Sequence, residues 1–306
     1  MLSIKKITKL LLTCAAVLAI ILFCLNQPSV FDYIFTYNWR YIVALSGLYC
    51  IFYILNAYIL FFLIHPYGKN ITFIKVLGVN QLSSFVNYLL PFRVASVGIK
   101  IFLLKRLFGV STGTTIGTFT LSAFLFSTIC MCALLYSLSF LQLPPKYLIN
   151  FSEATYLVVS IIIVFIFLLI IENRFQLLGS IYLPQIILDL KKSILSINKR
   201  TLFLICLLYI MQVLITSYIT YVLFLGANYS ISFLLCIFIT SVGNISGILA
   251  LTPANIGIKE ISYVGVGALF GVPADIIIAL LLLDRVIQAS LLTIGLPFFS
   301  YLNVEK

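Results

Sequence analysis

Charge is scarce in this chain: 9% of its 306 residues are charged, and 63% are apolar. Water-soluble domains carry roughly 25% charged residues, so this composition excludes a water-soluble domain and indicates a membrane protein. The uncharged runs 41–64, with 24 residues, and 201–258, with 58, exceed the length of a membrane-spanning helix. Transmembrane barrels use alternating segments of about ten residues instead. The sequence therefore predicts an all-α polytopic membrane protein.

Acidic and imidazole side chains are also few: the chain has eight Asp and Glu residues and one histidine, His65. No nucleophile motif, paired-carboxylate site or cluster of metal ligands is readable, so we expect no catalytic residue, no metal and no cofactor. The seven cysteines lie in apolar runs, where a free thiol acts as a small hydrophobic side chain. Enzymatic activity is therefore less expected than transport.

Two segments of the chain resemble each other. Pro91 is followed eighteen residues later by Gly109, and Pro253 is followed at the same spacing by Gly271, with Leu-Phe-Gly-Val around each glycine. A proline-interrupted apolar segment in each half of a membrane protein indicates a binding site between the halves, as in transporters built from inverted repeats. Chance similarity between two segments rich in Leu, Phe and Gly is the alternative.

The distribution of Lys and Arg predicts the orientation of the helices, because positively charged loops favour the cytoplasm. Full crossing by 76–92 would put Arg93, Lys100, Lys105 and Arg106 outside, so this segment is predicted to be re-entrant, as is 232–251. Eight full spans are the alternative. Both termini are expected in the cytoplasm. Six full spans are predicted at about 10–25, 41–64, 112–140, 154–171, 201–225 and 274–298.

Residues 1–306 are predicted to form one integral membrane domain in the cell (cytoplasmic) membrane. Its first half covers about 1–140 and its second half about 154–300. Within the second half, the basic amphipathic segment 172–200 is either a plain linker or a helix on the anionic inner leaflet. The oligomeric state is not predicted.

Charges within apolar membrane segments cost roughly 2.5–3.5 kcal/mol each on insertion scales, and four residues of the second half are candidates for functional charges of this kind. Asp284 and Arg285 fall near the middle of the last span, and Lys259 and Glu260 follow Pro253. Adjacent residues on a helix face different directions, so we predict the pairs Glu260–Arg285 and Lys259–Asp284. A ligand-dependent gate and a purely structural ion-pair cluster both fit this pattern.

In the first half, Arg93 and Lys100 are seven residues apart and share a helical face. The planar guanidinium group of arginine suits phosphate, so a phosphate-bearing lipid head group is a candidate ligand. Ordinary cytoplasmic loop charges are the alternative explanation.

Short motifs are spread over nearly the whole chain. They are Asn80, Leu90-Pro91-Phe92-Arg93, Lys105-Arg106, Gly109, Thr252-Pro253, Asn255, Gly257, Lys259-Glu260, Gly271-Val272 and Arg285. Together they resemble the lysylphosphatidylglycerol synthase transmembrane-region family of flippase-like integral membrane proteins. The family typically has Gly-Glu four and five residues after the first proline, where this chain has Ala95 and Ser96. A symmetric mechanism is therefore not implied.

The resemblance implies a flippase-like function. Members fused to a cytosolic aminoacyl-transferase domain make and translocate aminoacylated phosphatidylglycerol, and we expect only the translocating part here. Stand-alone relatives are similar to components of polysaccharide and lipid pathways. We therefore expect a lipid flippase or lipid transporter for an anionic phospholipid or a polyprenyl phosphate-linked lipid, with no nucleic acid as partner. The alternative is a membrane-embedded subunit or scaffold of a lipid or polysaccharide biosynthesis enzyme.

The candidate residues fall into two sets. Those expected to bind the substrate or to gate its path are Arg93, Lys100, Asn255, Lys259, Glu260, Asp284 and Arg285. Those expected to form the repeat motif are Pro91, Gly109, Pro253, Gly257 and Gly271.

Overall fold

The computed structural model describes residues 29–89, 93–141, 197–248 and 257–295, and these residues form helices and short connections without any strand. The all-α fold class is thereby confirmed. In chain order the helices are α1 Ser29–Phe35, α2 Trp39–Ile64, α3 Phe73–Leu89, α4 Arg93–Phe108, α5 Thr112–Phe140, α6 Lys199–Gly226, α7 Phe233–Ile248, α8 Ile258–Leu269 and α9 Ala274–Ile294.

Four helices, α2, α5, α6 and α9, are long and apolar enough to cross a membrane. At a rise of about 1.5 Å per residue, each reaches across the roughly 30 Å of a hydrocarbon core. They match the spans predicted at 41–64, 112–140, 201–225 and 274–298. The spans predicted at 10–25 and 154–171, and nearly all of the basic segment 172–200, lie outside the described residues. The chain is a multi-pass membrane protein.

Side-chain caps fix where three of these spans begin. Asn38 accepts a hydrogen bond from the Arg40 backbone N–H at 3.0 Å, and Asn198 accepts one from the Arg200 N–H at 3.3 Å. Ser111 accepts from the Thr114 N–H at 3.1 Å. Such caps satisfy N–H groups that have no partner within the helix.

Helices α3 and α4 pack side by side and form the first hairpin. Halfway along it, the Lys100 Nζ donates to Asn80 Oδ1 at 3.1 Å. At its base, the backbone N–H of Lys69, just before α3, donates to the carbonyl of Phe108, the last residue of α4, at 3.1 Å. The start of α3 and the end of α4 therefore lie next to each other at the base of the first hairpin.

Helices α7 and α8 form the second hairpin in the same way. Gly243 faces the ring of Tyr263 so closely that a Cβ at position 243 would overlap the ring. At the base, the rings of Phe238 and Phe270 have centroids 5.8 Å apart. Neither α8 nor α4 continues the direction of the helix before it.

The helices thus form two series of the same order: a spanning helix, a hairpin and a second spanning helix. Their contacts correspond as well. Helix α5 packs against α7 as α9 packs against α3, and α5 contacts α6 as α9 contacts α2. Helices α2 and α6 pack against each other and run antiparallel, because Leu63 near the end of α2 packs with Ile205 near the start of α6.

Helices α5 and α6 also pack against each other. The ring of Phe126 on α5 packs against that of Tyr209 on α6 at a centroid distance of 5.5 Å.

Gly109 and Gly271 end the two hairpins in the same conformation, with φ of 69° and 71°. The Gly109 N–H donates to the Lys105 carbonyl at 3.0 Å, and the Val272 N–H donates to the Gly267 carbonyl at 2.9 Å. Glycine adopts this left-handed conformation without a steric penalty and commonly closes helices. The repeated Leu-Phe-Gly-Val motif therefore turns the chain from each hairpin into a spanning helix.

Helix α1 is absent from the sequence-based prediction. Its residue Val30 is fully buried and packs against Ile278 and Ala279 of α9. A helix of seven residues is too short for an apolar period to be read from the sequence.

Candidate functional site

Two ion pairs lie where the start of α8 meets the middle of α9. Lys259 Nζ lies 2.9 Å from Asp284 Oδ2. Arg285 approaches Glu260 Oε1 through Nη2, at 2.6 Å, and through Nε, at 2.8 Å. Both pairings are the ones predicted from the sequence, and the structure confirms them. We call these four residues the charge cluster.

The start of α8 orients Glu260. Gly257 has a φ of 85°, which favours glycine, and its backbone N–H donates to Glu260 Oε2 at 2.7 Å. A carboxylate in the first helical turn satisfies an otherwise unpaired N–H and complements the helix dipole. The motif Gly257-x-x-Glu260 is thus a helix start that leaves the other carboxylate oxygen for Arg285.

Asp284 is the middle residue of α9 and is 1% exposed. The hydroxyl of Tyr49, on α2, donates to its Oδ1. Its Oδ2 accepts from Lys259 and from Gln288 Nε2, each at 2.9 Å. Three helices therefore supply donors to this one carboxylate, and a buried charge needs such a set of partners.

Gln288 connects the first hairpin to the charge cluster. Its Nε2 donates to Asp284 and to the Tyr49 oxygen, at 2.9 Å in both cases. Its Oε1 accepts from the hydroxyl of Tyr88 at 2.6 Å. Tyr88 is one residue from the end of α3, at the turn end of the first hairpin. Both hairpins thus reach α9 at the same level.

The charge cluster is neutral as a whole, but its two signs differ in accessibility. The side chains of Lys259 and Arg285 are 29% and 17% exposed, against 2% and 4% for Asp284 and Glu260. Since opposite charges attract strongly where water is excluded, the pairs are stable only with both partners present. An anion approaching the cluster would meet the cations before the carboxylates.

The first half places uncharged residues at the corresponding positions. The 162 residues that separate Gly109 from Gly271 also separate Ser122 from Asp284. Ser122 of α5 and Tyr209 of α6 share a hydrogen bond between their hydroxyls, as Asp284 of α9 and Tyr49 of α2 are hydrogen-bonded. At the same offset, the sequence has Val97 for Lys259, Gly98 for Glu260 and Ala123 for Arg285.

The other predicted site residues do not join the charge cluster in the described part of the chain. Lys100 donates to Asn80, and its ammonium lies 5.5 Å from the centre of the Phe119 ring on α5, all within the first half. Arg93 is the first residue of α4, and its side chain is outside the described atoms. Pro91, Pro253 and Asn255 also lie outside the described residues.

Sequence reasoning missed three partners of the charge cluster: Tyr49, Tyr88 and Gln288. Gln288 follows Asp284 by four residues, which places the two on one helix face and could have identified it. Nothing distinguishes Tyr49 and Tyr88 among the 18 tyrosines of the chain.

Comparisons with known proteins agree with the motif-based interpretation. A search of curated proteins finds no match. The family model described as "Lysylphosphatidylglycerol synthase TM region" matches residues 7–295, a range that includes the charge cluster and both hairpins. The chain belongs to the lysylphosphatidylglycerol synthase TM region family.

Proposed function

We propose that the protein is a lipid transporter that moves an anionic phospholipid or a polyprenyl phosphate-linked lipid across the cytoplasmic membrane. The family relates the chain to membrane lipid handling. The observation that carries the proposal is the charge cluster, in which Lys259 and Arg285 are the more accessible members. Charged residues within membrane segments are functional candidates by default.

The head group would bind by exchange of partners. Both cations are held by carboxylates, so a phosphate must compete with Asp284 for Lys259 or with Glu260 for Arg285. Arginine binds phosphate through two parallel N–H groups, which makes such an exchange favourable. The paired and exchanged arrangements would be the closed and open states of a gate. Arg93, Lys100 and Asn255 are proposed to complete the path of the head group.

The two hairpins are proposed to be re-entrant elements of an inverted repeat. Each begins and ends at one level, as the Lys69–Phe108 and Phe238–Phe270 contacts indicate. The base of the first hairpin follows the end of α2, and that of the second follows the end of α6. Because α2 and α6 are antiparallel, the two bases would face opposite sides of the membrane.

Positive charge supports one orientation. Because α2 and α6 pack antiparallel, the end of α2, the base of the first hairpin and the start of α6 lie at one face of the protein. Six cations are found there. They are Lys69, Lys75, Lys105, Arg106, Lys199 and Arg200. We propose that this face is cytoplasmic, in agreement with the preference of Lys and Arg for that side. With the predicted span at 10–25, both termini would then be cytoplasmic as well.

The test is a lipid translocation assay. The purified full chain is placed in vesicles of phosphatidylcholine and phosphatidylglycerol with a trace of phosphatidylglycerol that carries a fluorophore on its acyl chain. Dithionite, added outside, bleaches only the outer leaflet. We expect further bleaching as inner-leaflet lipid arrives, and less for a phosphatidylcholine with the same fluorophore.

Two results would contradict the proposal. Bleaching that stops at the level of protein-free vesicles for phosphatidylglycerol and for a labelled polyprenyl phosphate would exclude transport of both lipid classes. Equal rates for anionic and zwitterionic lipids would exclude head-group recognition by Lys259 and Arg285.

A further inference from the structure

We infer that the transport is coupled to protons and that Asp284 and Lys259 are the pair that binds them. The inference rests on the proposed lipid transport. It follows from a chemical difference between the two ion pairs, from the groups that surround Asp284, and from the uncharged contact at the same position of the other half.

The two ion pairs differ in whether a proton can break them. Glu260 is held by two nitrogens of Arg285 and by the Gly257 N–H, and a guanidinium stays protonated in proteins. Asp284 is paired with Lys259, whose ammonium is a point charge on a flexible stem that donates to this one carboxylate and lies 5.3 Å from the centre of the Tyr263 ring. The Asp284–Lys259 pair is therefore the one suited to open and close.

Apart from Lys259, the groups that bond to Asp284 are neutral. Tyr49 contacts it from α2 and Gln288 from α9, and Tyr88 of α3 reaches it through Gln288. The charge that contacts it is Lys259 of α8, while the neighbouring Arg285 binds Glu260. Tyr37, before α2, is close enough to Asp284 to interact with it electrostatically. If Asp284 gains a proton, these neutral groups can still bond to it, but Lys259 loses its counter-ion.

Proton binding and head-group binding then favour each other. A partly buried ammonium without a counter-ion is unstable, so Lys259 would take up the phosphate of a lipid head group. The proton resides on a carboxylate oxygen of Asp284 while the phosphate is bound. Release of the proton on the other side restores the Asp284–Lys259 pair and expels the phosphate. Because such coupling is reciprocal, proton and lipid would move in the same direction.

The first half shows that this helix contact needs no carboxylate. Ser122 and Tyr209 form the corresponding hydrogen bond between α5 and α6, and Val97 stands where the second half has Lys259. Helix packing therefore does not explain why Asp284 and Lys259 are charged. The same comparison supplies a test variant, Asp284→Ser with Lys259→Val, which copies the uncharged half.

The experiment measures how labelled phosphatidylglycerol distributes between leaflets when the vesicle interior and exterior differ by one pH unit, with potassium and valinomycin fixing the membrane potential. One proton per lipid would drive up to about a tenfold enrichment in one leaflet, since one pH unit is a tenfold proton ratio. We expect this enrichment for the wild type and none for the double variant. Asp32→Asn, which removes an exposed carboxylate of α1, should behave as the wild type.

The outcomes separate the two proposals. Lipid movement that reaches equal leaflets despite the gradient overturns proton coupling and leaves lipid transport intact. Absence of lipid movement in the wild type, with or without the gradient, overturns the transport proposal and this inference with it.

Infrared spectroscopy of the membrane-embedded protein gives a readout that needs no transport. Seven of the eight Asp and Glu side chains are common to the wild type and Asp284→Asn, a variant of the same shape. On acidification the carbonyl absorption of protonated carboxylic acids should therefore contain a component in the wild type that is missing in the variant. An identical band in both would overturn the inference, even if the double variant fails to fold.

Discussion

Tyr49 and Asp284 occupy the same relative positions in their helices as Tyr209 and Ser122, and both pairs are joined by a hydrogen bond between two spanning helices. The fold thus uses one contact twice, once with a carboxylate and once with a hydroxyl. The carboxylate occurs in one half only, and that half contains the full charge cluster. Function and packing can therefore be separated by substitution.

The Glu260–Arg285 pair offers the first such substitution. We expect Glu260→Gln or Arg285→Gln alone to leave one buried charge without its partner and to lower the free energy of unfolding by roughly 3–5 kcal/mol. The double variant restores neutrality, so it should recover most of that loss. Denaturant unfolding of the detergent-solubilised proteins measures this.

Transport should respond differently to the same three variants. If the pair is a gate, the double variant is folded but does not move lipid. A double variant that is stable and transports at the wild-type rate would show that this pair is only structural.

Tyr88 provides a test of whether the first hairpin takes part in gating. Tyr88→Phe removes one hydrogen bond to Gln288, which costs about 1 kcal/mol of stability. We expect the rate of lipid movement to change by a larger factor than the rate of unfolding, because the bond joins the turn end of this hairpin to the charge cluster. Tyr136→Phe, at an exposed site on α5, is the matched control. Equal transport rates in both variants would exclude the role of Tyr88.

Charged residues made the centre of the site predictable. A charge within an apolar segment needs a partner, and Asp284 and Arg285, adjacent on a helix, cannot serve each other. Lys259 and Glu260 remained as partners, and the structure has these pairs.

Neutral groups give no such signal. The hydroxyl of Tyr49 and the amide of Gln288 bond to Asp284, yet a tyrosine or glutamine in a membrane helix requires no specific partner. Ser122 is hidden for the same reason, because it is one of ten Ser and Thr residues in α5. These contacts depend on which helices become neighbours, and that is decided by the packing of the whole fold.

The equivalent glycines at the ends of the hairpins allow a test of the repeat. Gly109→Ala and Gly271→Ala each force a side chain into a left-handed conformation, so each should destabilise the protein by roughly 1 kcal/mol. Gly47→Ala is the control, since Gly47 is helical with nothing within 4 Å of an added Cβ. The thermal unfolding temperature of the control should equal or exceed that of the wild type, because alanine favours helices. A control as unstable as the other two would contradict the assigned role of the turns.

Labelling of single cysteines decides whether the hairpins are re-entrant. With the native cysteines replaced, Lys69→Cys and Arg106→Cys mark the two ends of the first hairpin, and Ser230→Cys and Pro273→Cys mark those of the second; all four positions are exposed. We expect an impermeant maleimide to reach the first two from the cytoplasmic face and the last two from the opposite face. Labelling of Lys69→Cys and Arg106→Cys from opposite faces would mean that α3 and α4 cross the membrane together as one span. Labelling of all four from one face would refute the inverted repeat, because the hairpins would then enter from the same side and could not form two opposed gates around the charge cluster.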